Sequence, residues 1–145
     1  MKSKTFREIE HTADVGMEVS GKTLEELFAN AANGFYSITG VPPGEASSAE
    51  RYDLSLSELS KEELLVSFLN ELNYLLMVQQ IVITGFSSFK IYLDSPQWTL
   101  LCTGAVSRLS PQVYDQLQEI KSVTYHKIKI VHQKNGYTTQ IFFDI

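Results

Sequence analysis

Two carboxylates occupy adjacent positions at the end of the chain: the side chain of Asp144 and the α-carboxylate of Ile145, closing the run Ile141-Phe142-Phe143-Asp144-Ile145. Anions this close repel, so a cation is expected beside them, either Lys127, another lysine or a metal ion. A third acid, Asp14, lies near the other end in His11-Thr12-Ala13-Asp14, a polar knot between two apolar segments. Taken alone, Asp14 reads as a turn residue whose carboxylate bonds nearby backbone N–H groups. Grouped with Asp144 and the terminal carboxylate it becomes one of several hard oxygen donors, suited to Ca²⁺, Mg²⁺ or Mn²⁺ rather than to zinc. Asp14 and Asp144 could instead serve as an acid–base pair, but the sequence supplies no partner nucleophile.

Other residues able to do chemistry are read as structural. His11, His126 and His132 lack zinc-ligand spacing. Cys102 lies in an apolar strand and reads as inert packing. There is no Gly-rich phosphate loop, no Ser-x-x-Lys and no Gly-x-Ser-x-Gly elbow.

The elements that must position these residues follow from capping and periodicity. Thr5 to Glu10 is extended, and Val15 to Ser20 alternates as a half-buried strand does. Thr23 and Glu26 form a capping box. Leu24, Leu27, Phe28, Ala31, Ala32, Phe35 and Ile38 then trace one apolar helical stripe. Gly40 and Pro42-Pro43-Gly44 end it, and Glu45 to Arg51 is a polar loop. Tyr52 to Ser57 alternates as a strand. Ser60 and Glu63 form a second capping box. Leu64, Leu65, Phe68, Leu69, Leu72, Leu75 and Leu76 then carry a more deeply buried helix to about Gln79. Ile81–Ile83, Ser88–Asp94 and Trp98–Ser107 read as strands, with a turn at Ser95-Pro96-Gln97. Ser110-Pro111 has the pattern of an N-cap followed by proline, opening a short helix or a loop up to about Ile120. Lys121 to His132 and Tyr137 to Ile145 read as the final strands. The order predicts an α+β domain over residues 1–145, a largely antiparallel mixed sheet covered by two long helices.

The last two strands allow a register argument. Asn135-Gly136 is a strong two-residue hairpin signal, which sets Lys134 opposite Tyr137. Ile128 then faces Phe143, Lys127 faces Asp144 and His126 faces Ile145. Ile128, Ile130, Ile141 and Phe143 share the core face, and Asp144 points to the other one.

At 145 residues the chain is long enough for a substantial core. Its 43% hydrophobic and 20% charged composition is that of a globular protein. No apolar run is long enough to span a bilayer, and the N-terminus lacks the apolar stretch of a secretory signal. A single cysteine excludes an internal disulfide, and these features together predict a cytoplasmic protein. The net charge of −5, with scattered lysines and arginines, predicts little direct affinity for nucleic acid.

Several segments resemble one family, archease. They are Ile9-Glu10-His11-Thr12-Ala13-Asp14, Leu24-Glu25-Glu26-Leu27-Phe28-Ala29-Asn30-Ala31-Ala32 and Leu64-Leu65-Val66-Ser67-Phe68-Leu69-Asn70-Glu71-Leu72, together with Ile120-Lys121-Ser122-Val123-Thr124-Tyr125-His126 and the closing Phe143-Asp144-Ile145. The match keeps order and spacing over essentially the whole chain. Ser122, where alanine is expected, is a departure that leaves the charged positions intact. The resemblance implies a non-enzymatic cofactor protein for the RtcB-type RNA ligase in tRNA splicing and RNA repair. In that role it would promote guanylylation of the ligase by GTP and permit multiple turnovers, while the ligase holds the catalytic metals and the nucleophilic histidine. It also implies a divalent cation, calcium foremost with magnesium or manganese as alternatives, held by Asp14, Asp144 and Ile145. Lys121 and His11 are implied as further functional residues. The ligase would be the direct partner, tRNA an indirect one, and no membrane is involved. On this view the chain stops at Ile145 because its free carboxylate is a ligand. Two other functions fit the residues less closely: a stand-alone metal-dependent phosphate-ester hydrolase, and a general chaperone or modulator without metal chemistry.

Overall fold

The computed structural model describes residues 5–10, 14–42, 50–125 and 127–145. Both long helices begin where their capping boxes place them. Thr23 accepts the Glu26 N–H at 3.0 Å and starts α1, Leu24–Thr39; Ser60 accepts the Glu63 N–H at 3.0 Å and starts α2, Lys61–Gln79. Gly40 caps α1 in the left-handed conformation that glycine adopts without a Cβ penalty. Gln80 closes α2 in the same conformation. Short α3, Pro111–Tyr114, is started by Ser110 and does not continue toward Ile120.

Among the described residues eight strands divide into two sheets in which every neighbouring pair is antiparallel. β1 (Phe6–Glu10), β2 (Val15–Gly21), β8 (Gly136–Asp144) and β6 (Ser122–Val123) lie side by side, and β7 (Val131–Gln133) also pairs with β8. β3 (Arg51–Glu58), β5 (Gln97–Arg108) and β4 (Ile81–Asp94) make the second sheet in that spatial order. The α+β class is as expected, with the strands shared between two sheets instead of one. β4 is continuous across the two expected strands, its register shifting between Thr84 and Ser88.

One core joins the layers. α1 lies on β1, β2 and β8 and touches β4, while α2 lies on β3, β4, β5 and β6. α2 buries Leu64, Leu65, Val66, Phe68, Leu69, Leu72, Leu75 and Leu76, and α1 buries a stripe of similar width, so α2 is not the more deeply buried helix that its leucines suggested. Phe28, Phe68, Phe86 and Phe89 meet at tilted or edge-on angles, with Phe86–Phe89 the nearest pair at 5.1 Å between centroids. Tyr36, also buried, keeps its hydroxyl satisfied by accepting the Ile83 N–H at 2.9 Å; burial pushes its pKa well above the usual tyrosine value. No helix among the described residues is long and apolar enough to cross a membrane.

The C-terminal hairpin departs from the expected one. Lys121 to His132 is not one strand. Pairing is limited to Ser122–Val123 and Val131–Gln133, and Lys127 between them has a left-handed φ of 52°. The backbone of this stretch finds other partners: the Ile130 N–H donates to Glu62 Oε2 at 2.8 Å, and the Thr139 hydroxyl donates to the Lys129 carbonyl at 2.8 Å. The turn is also displaced. Gln133 pairs with Gly136 and His132 with Tyr137, so Lys134-Asn135 forms the loop instead of Asn135-Gly136. Gly136 still has the positive φ expected of it, 137°, and a Cβ there would also collide with the Gly21 backbone of β2.

Candidate functional site

The site is assembled at one end of β8. The β2–β8 ladder pairs Val15 with Phe143. Asp14 immediately precedes β2, and Asp144 is the last residue of β8. Phe143 is wholly buried, so its neighbour Asp144 turns to the opposite face and is exposed, while Asp14 is half-buried. The acids from the two ends of the sequence therefore lie at the same end of this sheet, Asp14 just before β2 and Asp144 closing β8.

On its other side Asp144 is flanked by β6. Ser122 pairs with Asp144, and the Lys121 N–H donates to the Asp144 carbonyl at 2.7 Å. The expected neighbour Lys127 does not face Asp144, because the displaced hairpin puts Ser122 there. Among the described residues the ion pairs are Arg7–Glu18 at 3.5 Å and Arg108–Glu50 at 3.2 Å, both on the surface and neither at Asp144. Lys121 is exposed beside the acids, while His11 and His126 lie outside the described residues.

Two amides that sequence reasoning passed over hold the Lys121 segment. Asn70 accepts the Val123 N–H at 2.9 Å and donates to the Val123 carbonyl at 3.4 Å. Buried Asn73 donates to the Ile120 carbonyl at 2.8 Å. They are three residues apart and so share a face of α2. Two amides at that spacing in a leucine-rich helix were the available signal, since buried polar groups need partners. The groove beside them holds about 600 Å³, lined in part by Tyr74, Val78, Tyr114, Glu119 and Lys121.

The donor set fits a hard divalent cation. It consists of carboxylates alone, presented at the solvent face of a strand end, with no thiolate or imidazole among the described residues there. Side chains alone do not form a cage: no group of three His, Cys, Asp or Glu able to hold a metal occurs among the described residues. The terminal carboxylate and water would complete the coordination.

Cys102 and His132 take the structural roles expected of them. His132 stacks on Tyr137, its cross-strand partner, at 4.3 Å between ring centroids. Cys102 is buried, and desolvation, then the charge of Asp53, pushes its thiol up to about 12. Thiolate is the reactive form, so a native-state alkylation assay at pH 8 is expected to leave Cys102 unmodified over hours, with rapid labelling once urea unfolds the chain. Fast labelling of the folded protein would contradict this burial.

The Archease protein family matches residues 6–145. A Protein archease of Methanosarcina acetivorans is 30% identical over 142 residues, covering 98% of this chain and 97% of that protein. A Protein archease of Pyrococcus furiosus is 29% identical over 145 residues, covering 98% and 99% of the two chains. The solution structure of Methanobacterium thermoautotrophicum protein 1598 superimposes with a TM-score of 0.78 at 24% identity, covering 99% of this chain and 100% of that one. The crystal structure of an archease, possible chaperone, from Thermotoga maritima gives 0.59 at 22% identity, covering 94% of each chain.

Proposed function

This chain belongs to the archease family, and on that premise we propose that it is a non-enzymatic accessory protein for an RtcB-type RNA ligase, promoting guanylylation of the ligase by GTP and repeated turnover. The observation that supports the proposal is the β2–β8 register, Val15 opposite Phe143, which leaves Asp14 and Asp144 as the next residues at one end of the sheet. In this reading Asp14, Asp144 and the Ile145 carboxylate hold a divalent cation, calcium or alternatively magnesium or manganese. What the ion would supply is positive charge to offset phosphate oxygens. The chain's own residues do the positioning. Phe143 anchors the strand, Asn70 and Asn73 fix the Ile120–Val123 segment, and Lys121 presents a further positive charge beside the acids. The net charge of −5 supports RNA contact through the ligase in place of direct binding.

The test is a GTP-dependent guanylylation assay of an RtcB-type ligase, run with and without this protein across Ca²⁺, Mg²⁺ and Mn²⁺. Wild type is expected to raise the rate and to allow multiple turnovers. Asp14→Ala and Asp144→Ala are expected to fold, as judged by circular dichroism, and to give no stimulation. Unchanged ligase turnover with either variant would sink the role of the acids. Metal-dependent phosphate-ester cleavage by the isolated protein would point to a hydrolase instead.

A further inference from the structure

β3 and β4 are the two edges of the three-stranded sheet, and the chain treats them differently. In an antiparallel ladder, residues alternately aim their backbone groups at the neighbour and away from it. The Val106 N–H donates to the Glu50 carbonyl at 3.1 Å, which fixes the phase. Along the β3–β5 register, Tyr52, Leu54, Leu56 and Glu58 therefore turn their N–H and C=O groups toward β5. Arg51, Asp53, Ser55 and Ser57 turn theirs outward. The same phase carried through β5 to β4 makes Ile81, Ile83, Phe89, Ile91 and Leu93 outward residues there.

Two of these N–H groups on β4, those of Ile83 and Ile91, are covered from α1. Tyr36 Oη accepts from Ile83 at 2.9 Å, and Glu25 Oε2 accepts from Ile91 at 3.1 Å. Covering an edge in this way blocks pairing with another strand. On β3, no described group bonds the outward backbone of Arg51, Asp53, Ser55 or Ser57. Their side chains are exposed yet do not shield the edge: Asp53 accepts from the Thr103 hydroxyl at 2.7 Å, and Ser57 shares a 3.0 Å bond with Thr99, both directed back to β5.

Beside this edge α2 forms a shelf. Glu71, Tyr74 and Val78 share one face at helical spacing, and Tyr74 and Val78 are 49% and 62% exposed, large values for apolar side chains. Half-buried Tyr52 of β3 lies next to the shelf: after burial, the charges of Glu71 and Tyr74 hold its pKa up. Tyr74 and Val78 also line the groove that reaches Lys121, so the shelf connects the strand edge with the acidic end.

We propose that β3 is a docking edge for an extended segment of a partner protein, which adds to the sheet as a fourth strand beside Arg51, Asp53, Ser55 and Ser57. Main-chain bonds give such a mode its affinity, and alternate side chains give its specificity. The shelf selects apolar residues at alternate positions, against Tyr52, Tyr74 and Val78, with a lysine or arginine among them facing Glu71. A second copy of this chain fits poorly. Antiparallel self-pairing about Ser55 sets Glu58 opposite Tyr52 of the other copy, bringing an acid toward the acid Glu71. This surface is separate from the proposed cation site, so either can fail without the other.

The test uses the full-length ¹⁵N-labelled protein and an acetylated peptide of the same length as β3, eight residues. The peptide alternates valine and threonine, with one valine replaced by lysine. Added peptide is expected to slow hydrogen exchange at the amides of Arg51, Asp53, Ser55 and Ser57, and to leave Tyr52, Leu54 and Leu56 unchanged because these already bond to β5. Ser55→Pro removes an outward N–H and spares the β5 ladder, a placement proline tolerates on an edge strand; it should weaken peptide binding about tenfold or more. Glu71→Lys provides a second route if that variant unfolds: it should weaken binding of the lysine peptide and strengthen binding of its glutamate counterpart. Absence of selective protection at millimolar peptide overturns the proposal. So does protection in the free protein that rises with its concentration alongside dimers in sedimentation, which would assign the edge to a second copy.

Discussion

Phe143→Ala is expected to destabilise the protein by about 3–5 kcal/mol, the usual cost of emptying a phenylalanine site in a close-packed core. Phe143 is fully buried and packs on Phe35 with 6.1 Å between ring centroids. It faces Val15 on one neighbouring strand and Val123 on the other, so its ring ties β2, β8 and β6 together. Against a total stability of roughly 5–15 kcal/mol for a domain of this size, such a loss leaves a marginal fold. Urea unfolding should show a much lower midpoint with little change in slope, because the surface exposed on unfolding is nearly the same. A loss below about 1 kcal/mol, the range of surface substitutions and mild repacking, would contradict the packing described. The variant has a second expected consequence. Asp144 is the next residue, and its position depends on the strand that Phe143 anchors. Ion affinity should therefore fall even under conditions where the variant remains folded.

The helices were legible because their signals are local. Thr23 with Glu26, and Ser60 with Glu63, state where α1 and α2 begin, and the apolar stripes state which way each helix faces. The inward turn of Phe143 and outward turn of Asp144 were legible as well. At this end the partners differ from the expected ones by five positions, Ser122 in place of Lys127, but the alternation along β8 itself, with Ile141 and Phe143 buried, keeps the faces as read. Lys121 to His132 was misread because Val123, Ile128 and Ile130 carry a strand-like alternation. Alternation reports which side chains are buried but not which groups satisfy the backbone. Here Glu62 and Thr139 supply bonds that a neighbouring strand was expected to supply, and the chain bends through Lys127 without losing its apolar contacts. Gly136 shows the same limit. Its positive φ was legible from Asn-Gly, whereas the close approach of Gly21 is a long-range fact that no short window contains. The division into two sheets and the contrast between the β3 and β4 edges depend on strand order, which a single sequence does not display.

A short extension of the chain beyond Ile145 is expected to lower divalent-cation affinity on the order of 100-fold while leaving the fold intact. Losing only a hydrogen bond that supports a metal ligand typically costs about 10–100-fold, and here a ligand itself is displaced. An added residue converts the Ile145 carboxylate into a neutral amide and moves the charged end onward. Stability should change little, because the Ile145 side chain is 39% exposed and the core anchor is Phe143. Three comparisons separate charge from bulk. Ile145→Ala retains the carboxylate and should bind as wild type does. Asp144→Asn keeps the shape of the side chain and removes its charge, and should weaken binding as strongly as the extension does. Asp14→Asn should do the same from the other end of the sequence, since the proposed site counts it among the ligands. Calcium titration by calorimetry reads all four proteins directly, without the ligase. If the extended chain binds calcium as tightly as wild type, the terminal carboxylate is not a ligand. If Asp144→Asn alone weakens binding, the cation sits on the strand end without Asp14, and the coupling of the two ends of the chain has a purely structural purpose.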